Sequence, residues 1–340
     1  MVFLTPSLID KNLVSVVIPA FNKPELTSKT IDTVIDQTHR PIEIILSDDN
    51  SPNSLKAMVD EKRAKCDPGL EIKYYRQKEN INYYWNLQFV LSKAIGKYIV
   101  MLDHDDWLID KYFFSDSIKA IEKIPDCYLS IANSLIENSP ETMVNFNYQN
   151  WHYVDGSLLM KKNLFTHTIH PSRSAVMLNW DKLKELNYMQ YFISKEAGQK
   201  LNLLPDEAFI SICLLASIGK IALTGRVVSV RGEPAQSLSK SISWSKSGGE
   251  KMFIQYFLLY KHFLLTGCKN GVQTTIRNFL FVYPCHRINF KMLKYLNYNR
   301  HAVIFMLLGA TWFNFKRIIN SPFKIRQYLV KIAKKFFKIS

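Results

Sequence analysis

Short apolar runs alternate with helix-like stretches through the first hundred residues of this chain, and this alternation limits the fold more than any other feature. Four runs rich in β-branched and aromatic residues predict strands: Val14–Ile18, Ile42–Leu46, Ile72–Tyr75 and Tyr98–Leu102. The stretches between them have apolar residues at helical spacing, and Pro24 suits the first turn of the first helix. The pattern predicts an α/β fold whose mostly parallel sheet has helices on both faces.

Polar clusters follow three of these predicted strands. Phe21-Asn22 follows the first, residues 47–51 (Ser-Asp-Asp-Asn-Ser) follow the second, and residues 103–106 (Asp-His-Asp-Asp) follow the fourth. The carboxyl ends of parallel strands lie along one edge of a sheet, where open α/β folds bind their ligands. We therefore expect the three clusters to share one crevice.

The last cluster places the carboxylates of Asp103, Asp105 and Asp106 directly after an apolar strand. Such an arrangement is costly unless a cation neutralises it, and Mg²⁺ or Mn²⁺ would suit, because these ions take one or two carboxylates together with substrate phosphates and water. A solvated acidic turn that caps a helix starting near Asp110 is the alternative that the cluster alone leaves open.

These clusters belong to motifs in a characteristic order. Residues 14–22 read Val-Ser-Val-Val-Ile-Pro-Ala-Phe-Asn, residues 43–51 end in Asp-Asp-Asn-Ser, residues 80–86 run from one Asn to another, and residues 94–99 lead into the Asp-x-Asp cluster. In this order the motifs resemble those of the family-2 glycosyltransferases, which have the Rossmann-like GT-A fold. Phe21, Asn50 and Asn82 replace the family's usual Tyr, Gly and Gly, and Asn tolerates a left-handed backbone better than most residues.

The resemblance implies a nucleotide-diphospho-sugar donor, with UDP as the expected nucleotide. Four residues are implied to border the nucleotide or, in the last case, to accept a hydrogen bond from its base: Pro19, Ala20, Asn22 and Asp49. Asp103 would contact the ribose or the sugar-phosphate, Asp105 would bind Mn²⁺ or Mg²⁺ directly, and Asp106 would tune the metal site or the donor sugar. Asp48 and Asn50 are expected only to shape a turn.

Two further segments resemble motifs that complete such a site. Asp206, in a Pro-Asp-Glu sequence that begins a predicted helix, would be the general base that removes the acceptor's proton, with Glu207 as its rival and an ordinary helix cap as the alternative. Arg231 would contact the diphosphate. Glu233 stands where the family usually has His, and its carboxylate could bind a cation but adds a second anion. Residues 167–177 occupy the position where such enzymes meet the donor sugar and the acceptor.

The net charge of +15 is confined to one region. No Asp or Glu follows Glu250, whereas 16 of the 44 Lys and Arg residues do. Residues 251–340 are also rich in apolar side chains, and residues 323–339 predict an amphipathic helix on an anionic membrane surface. Packing against the catalytic domain is the alternative. Nucleic-acid binding is a poorer account, because no nucleic-acid-binding module is recognisable.

The expected organisation is a GT-A domain followed by a mainly helical basic region. Residues 1–110 would bind the nucleotide-sugar, residues 111–240 would bind the acceptor, and residues 251–340 would associate with the membrane. We expect no secretion signal and no transmembrane span, so the enzyme would lie in the cytoplasm, peripherally on the inner face of the membrane. The scattered, odd-numbered cysteines agree with a reducing compartment.

The expected function is inverting transfer of a hexosyl or N-acetylhexosaminyl group to a carbohydrate or lipid-linked glycan acceptor, such as a surface polysaccharide precursor. Two alternatives stay open. One is a catalytically impaired, membrane-associated protein with the GT-A fold, which Glu233 keeps possible. The other is a sugar-phosphate nucleotidyltransferase, although the Gly-rich, Arg-containing loop typical of that class does not follow the first strand.

Overall fold

The computed structural model describes residues 12–139, 146–161, 171–187 and 207–232, together with 142, 259, 262–263, 266–269 and 272. Within these residues, nine strands form one sheet. The strands are β1 Val14–Ala20, β2 Ile42–Asp48, β3 Leu70–Arg76, β4 Tyr98–Met101, β5 Trp107–Leu108, β6 Cys127–Ile136, β7 His152–Asp155, β8 Val176–Asn179 and β9 Lys220–Arg231. The helices are α1 Pro24–Ile35, α2 Lys56–Arg63, α3 Asn82–Lys93, α4 Phe113–Lys123, α5 Gly156–Lys161, α6 Trp180–Glu185 and α7 Glu207–Ile218.

The sheet has a parallel half and a mixed half. Strands β3, β2, β1 and β4 are neighbours in that order and all run parallel. The order continues through β8, β6, β9 and β5, with β8 antiparallel to both β4 and β6, and β6 parallel to β9. Strand β7 pairs with β9 off this path. The predicted α/β class with a mostly parallel sheet is confirmed.

Successive residues of the central strands pack into two different cores, as the period of two in a strand requires. On β1, Val16 and Ile18 lie in a core with Ile31 of α1, whereas Val17 lies in a core with Leu87 of α3. The sheet is therefore buried on both faces, which explains why its strands are almost continuously apolar.

The sequence pattern was less informative beyond residue 110. Strand β6 falls in a region without a clear apolar pattern, and of the twelve residues of β9 only the run Val227–Val230 resembles a strand in the sequence. In β6 the apolar run is interrupted by the buried residues Ser130, Asn133 and Ser134, and Asn133 Nδ2 donates to the Gly225 carbonyl at 2.9 Å. Hydrogen bonds to β9 thus accommodate Asn133 and Ser134 at positions where the sequence pattern would predict apolar residues.

The described residues cover only part of the predicted domain organisation. The sheet passes across the boundary predicted at residue 110 through the pairing of β4 with β8, and that boundary stays a prediction. Nearly all of residues 251–340, including the helix predicted over 323–339, lie outside the described residues. In the part of the chain that is described, no helix is both long and apolar enough to cross a bilayer.

Candidate active site

The loops that follow β1 and β2 are joined at the carboxyl edge of the sheet. The Asp49 N–H donates to the carbonyl of Ala20 at 2.8 Å, and the Asn22 N–H donates to Ser51 Oγ at 2.8 Å. Asn22 and Asn50 both have left-handed backbones, with φ of 57° and 59°. Pro19 and Ala20, which were predicted to border the nucleotide, end β1 beside this junction.

Asp48 is buried and shapes the turn after β2, as expected. Its carboxylate accepts four hydrogen bonds: from the N–H groups of Ser51 (2.8 Å) and Leu55 (3.2 Å), Tyr74 Oη (2.8 Å) and Arg76 Nη1 (2.8 Å). Burial alone would raise the pKa of Asp48, but these hydrogen bonds outweigh it and leave the pKa below its ordinary value. The carboxylate therefore stays ionised and holds this corner of the site.

Asp49 is buried next to Asp48 and fixes the segment that precedes α3. Its Oδ1 accepts the Ile81 N–H at 2.7 Å. Burial raises the pKa of Asp49 above its ordinary value, against the lowering effect of the Ile81 and Asn82 N–H groups. Asn82, which follows Ile81, has a φ of 71°, a left-handed backbone that glycine adopts more readily than other residues. Recognition of the base by Asp49 stays a prediction.

Asp103 lies at the start of the acidic cluster and contacts α3 and the 3₁₀ turn Arg173–Ala175. Tyr83 Oη donates to Asp103 Oδ1 at 2.7 Å, and Arg173 Nη2 lies 3.8 Å from Asp103 Oδ2. Arg173 also donates to the Tyr83 hydroxyl and packs over its ring. A cation and a hydroxyl thus orient the first aspartate of the cluster.

Asp105 lies opposite the loop that follows β1. Its Oδ2 is 3.3 Å from Lys23 Nζ, and its side chain is 17% exposed. Lys23, the residue after Asn22, therefore supplies the positive charge that compensates the Asp105 carboxylate. Part of the neutralisation expected from a metal is provided by Lys23 and Arg173.

Asp106 points into the protein, away from the more accessible Asp105. Its Oδ1 accepts the Gly232 N–H at 3.1 Å, and Ser172 Oγ lies 3.4 Å from its Oδ2. Burial, together with the negative charges of Asp103 and Asp105, raises the pKa of Asp106 to about 8. Its position supports a role in shaping the acidic loop, and the influence on metal or sugar predicted for it stays a prediction.

His104 is the buried residue between the aspartates. Its ring bonds to the Pro19 carbonyl, while Nε2 has no hydrogen-bond partner in the described part of the chain. Burial lowers the pKa of His104 despite the negative charges of Asp105 and Asp103. A neutral imidazole therefore ties the acidic loop to the end of β1.

The later motif residues are only partly placed. Arg231 ends β9, and the Gly232 N–H that follows it donates to Asp106, so this strand end lies at the acidic cluster. Contact of the Arg231 side chain with the diphosphate stays a prediction. Glu207 begins α7, but its side chain is not among the described atoms. Asp206 and Glu233 lie outside the described residues, as do residues 162–170.

The acidic cluster fits a hard divalent cation that is held partly by substrate. Asp105 and Asp103 offer carboxylate oxygens, which Mg²⁺ and Mn²⁺ prefer. Among the described side chains, no group of three or more His, Cys, Asp or Glu residues could hold a metal by itself. A site with one or two carboxylates, completed by the phosphates of a nucleotide, is the usual arrangement for these ions.

Several neighbours of the cluster were missed from the sequence. Lys23, Tyr83 and Arg173 stand next to or within motifs that were recognised, but no local signal assigns their contacts. Their partners are separated in sequence by 82 positions for Lys23 and Asp105, and by 90 for Arg173 and Tyr83. Gly232 was missed as well, and a Cβ there would lie 2.0 Å from the Asp105 carbonyl oxygen.

Comparison with known families decides the affiliation of the chain. The protein-family model described as Glycosyl transferase family 2 matches residues 15–186, which is half of the chain. The chain belongs to this family. The matched region contains both strand-end loops, the acidic cluster and Arg173.

Individual relatives agree with this assignment. A GalNAc(5)-diNAcBac-PP-undecaprenol β-1,3-glucosyltransferase of Campylobacter jejuni is 27% identical over 200 residues, covering 57% of this chain and 60% of that protein. The putative teichuronic acid biosynthesis glycosyltransferase TuaG of Bacillus subtilis is 31% identical over 102 residues, covering 30% of this chain and 39% of that protein. The chain thus spans less than two thirds of the length of the curated relatives it matches.

Solved structures show the same fold. Residues 1–349 of Staphylococcus aureus TarS, in a crystal structure with UDP-GlcNAc, superpose with a TM-score of 0.58 at 14% identity, covering 79% of this chain and 71% of that one. The predicted GT-A fold is confirmed.

Proposed function

We propose that this protein is an inverting glycosyltransferase that moves a hexosyl or N-acetylhexosaminyl group from a UDP-sugar to an acceptor hydroxyl. The observation that carries the proposal is the position of Asp103 and Asp105 at the carboxyl edge of the sheet, the same edge as Asp49, where the end of β9 also meets the acidic loop. In a fold of this kind that edge binds the nucleotide. Family membership supports the reaction class, and the fold it shares with TarS supports the architecture.

In this proposal, the residues of the chain divide between donor binding and proton removal. Pro19, Ala20, Asn22 and Asp49 border the nucleotide. Asp103, oriented by Tyr83 and Arg173, contacts the ribose or the sugar-phosphate. Arg231 pairs with the diphosphate.

Asp105 would hold Mn²⁺ or Mg²⁺, which supplies charge stabilisation to the departing diphosphate when it is bound. The protein's own part is to present the Asp105 carboxylate at the open side of the acidic loop. Asp106 and Gly232 keep that loop in place from the buried side.

Asp206 is the proposed general base. It would take the proton from the acceptor hydroxyl as the oxygen attacks the anomeric carbon from the face opposite the nucleotide, which inverts the configuration. Positioned bases of this kind contribute about 10²- to 10⁴-fold. The motif in the sequence and the start of α7 at the next residue support this role.

The proposed acceptor is a lipid-linked or surface polysaccharide precursor at the cytoplasmic face of the membrane. The name of the Campylobacter relative includes an undecaprenol-linked substrate, and that of the Bacillus relative includes teichuronic acid biosynthesis. The basic, apolar composition of residues 251–340 suits an anionic membrane surface.

The proposal is tested by donor binding followed by transfer. Thermal stabilisation with Mn²⁺ and a panel of UDP- and GDP-sugars should select a UDP-sugar. With that donor, Asp206→Asn should retain nucleotide binding and lose transfer, while the matched variant Glu207→Gln should retain both. Transfer by Asp206→Asn at the wild-type rate would exclude Asp206 as the base, and retained anomeric configuration in the product would exclude inversion.

A further inference from the structure

We propose that Lys23 is a resident counter-cation of Asp105, which the metal and the nucleotide diphosphate must displace together. Metal alone would then bind weakly, and metal and nucleotide would increase each other's affinity. This inference rests on the proposed function, because it takes Asp105 to be the metal ligand. It gives a role to Lys23, which is not among the site residues predicted from the sequence.

The contact itself is the first support. Lys23 Nζ lies 3.3 Å from Asp105 Oδ2, and the two side chains are 28% and 17% exposed. A partly buried pair is screened less by salt than a pair in open water. A divalent cation that binds Asp105 must therefore compete with an ammonium already in contact with one of its oxygens.

The backbone at Lys23 provides an independent support. Lys23 has φ 53° and ψ 57°, and Asn22 before it is also left-handed, although neither is glycine. The Thr27 N–H donates to the Lys23 carbonyl at 3.0 Å, which holds this conformation at the start of α1. Non-glycine residues in such a conformation cost roughly 1–2 kcal/mol and persist where the surroundings fix them. The lysine is therefore held at a fixed point of the edge where Asp105 lies.

Charge balance explains why nucleotide would relieve the competition. Metal alone adds positive charge beside an existing ammonium, so Lys23 opposes it. A nucleotide diphosphate brings negative charge to the same place, and the flexible, point-like ammonium of lysine can then pair with a phosphate. Coupling between two ligands is reciprocal, so removal of Lys23 should weaken the effect of each on the other.

The test is the affinity of Mn²⁺, measured by the EPR signal of the free ion, for the full chain with and without UDP. Lys23→Gln should bind Mn²⁺ without UDP about 2- to 5-fold more tightly than wild type, as expected for loss of one partly exposed ion pair. UDP should then increase the Mn²⁺ affinity less than it does in wild type. Lys23→Arg, which keeps the charge, should behave like wild type. Lys23→Asn, which tolerates the left-handed backbone, repeats the test if the glutamine variant does not fold.

Control variants separate the possible failures. Lys56→Gln removes a lysine that pairs with Asp60 on the exposed face of α2 and should change nothing. If Mn²⁺ binds wild type only with UDP, and Lys23→Gln and Lys23→Asn leave the affinity without UDP unchanged, the inference is wrong and the proposed function stands. If neither wild type nor the Lys23 variants bind Mn²⁺ with UDP, or if Asp105→Ala binds it as well as wild type, the proposed metal site is wrong.

Discussion

Asp106 Oδ1 accepts a hydrogen bond from the Gly232 N–H at 3.1 Å, which joins the acidic loop to the end of β9 across 126 positions of sequence. Gly232 also lies so close to the loop that a Cβ on it would be 2.0 Å from the Asp105 carbonyl oxygen. The position of the acidic loop therefore depends on a glycine that follows Arg231.

Gly232→Ala should displace this loop and reduce transfer by roughly 10²-fold, the effect of misplacing reacting groups by about 1 Å. The measurement is the transfer rate with the selected UDP-sugar. Gly267→Ala is the control, because its Cβ would meet nothing within 4 Å while its φ of 69° imposes backbone strain. That variant should lose some stability and keep its rate. Equal rates in Gly232→Ala and wild type would contradict the dependence on glycine.

Tyr83→Phe should weaken donor binding by about 10-fold, because it removes a hydrogen bond to the Asp103 carboxylate. Titration calorimetry with UDP and Mn²⁺ measures this directly. Tyr112→Phe, which removes the hydroxyl of an exposed ring, should bind as wild type does. Unchanged UDP affinity in Tyr83→Phe would mean that Asp103 does not contact the donor through this arrangement.

Asp48→Asn should lower the free energy of unfolding at pH 7 by about 2–4 kcal/mol, because it weakens the pairing of a buried carboxylate with Arg76 and its other donors. The pKa of Asp48 is below its ordinary value in the folded protein, so its ionic contribution is complete above about pH 4 and is lost as the pH falls through the folded-state pKa.

Urea unfolding measured from pH 7 downward checks this sign. The difference between wild type and Asp48→Asn should be constant at neutral pH and shrink below about pH 4. Asp60→Asn, on the exposed face of α2, should cost far less throughout. A difference that grows on acidification would contradict the assignment of Asp48 as an ionised turn residue.

Removal of residues 316–340 should reduce sedimentation with anionic liposomes, because this segment carries eight of the sixteen basic residues after Glu250. Neutral liposomes and high salt are the controls, since both remove the electrostatic attraction. If the shortened chain sediments as well as the full chain, residues 316–340 are not the anchor.

Much of the parallel half of the fold could be predicted, because each of its four strands contains a local apolar run and three of these runs are followed by a polar cluster. Strands β1, β2 and β4 were predicted in this way, and their loops do meet at one edge. The mixed half of the sheet was harder to predict. Strand β6 contains buried serines and an asparagine, and its pairing with β9 has three register shifts, so neither strand has a regular alternation.

The site shows the same division between local and distant information. Asp103, Asp105 and Asp106 could be recognised as a cluster, and the left-handed backbones of Asn50 and Asn82 agree with the tolerance of Asn for that conformation. That Asp106 is buried and Asp105 more accessible could not be predicted. The difference depends on Gly232, which contacts Asp106, and on Lys23, which contacts Asp105. Both residues approach the acidic cluster only in the folded chain.

Metal-assisted transfer at the acidic cluster is tested most directly by turnover of the selected UDP-sugar by wild type and by Asp105→Ala at saturating Mn²⁺, with Asp60→Ala as a surface control. Loss of the proposed metal ligand should reduce nucleotide release by at least about 100-fold, because a bound cation supplies several kcal/mol of charge stabilisation. Asp60→Ala should turn over the donor at the wild-type rate. Equal turnover by Asp105→Ala and wild type would contradict a metal-assisted transfer at this site.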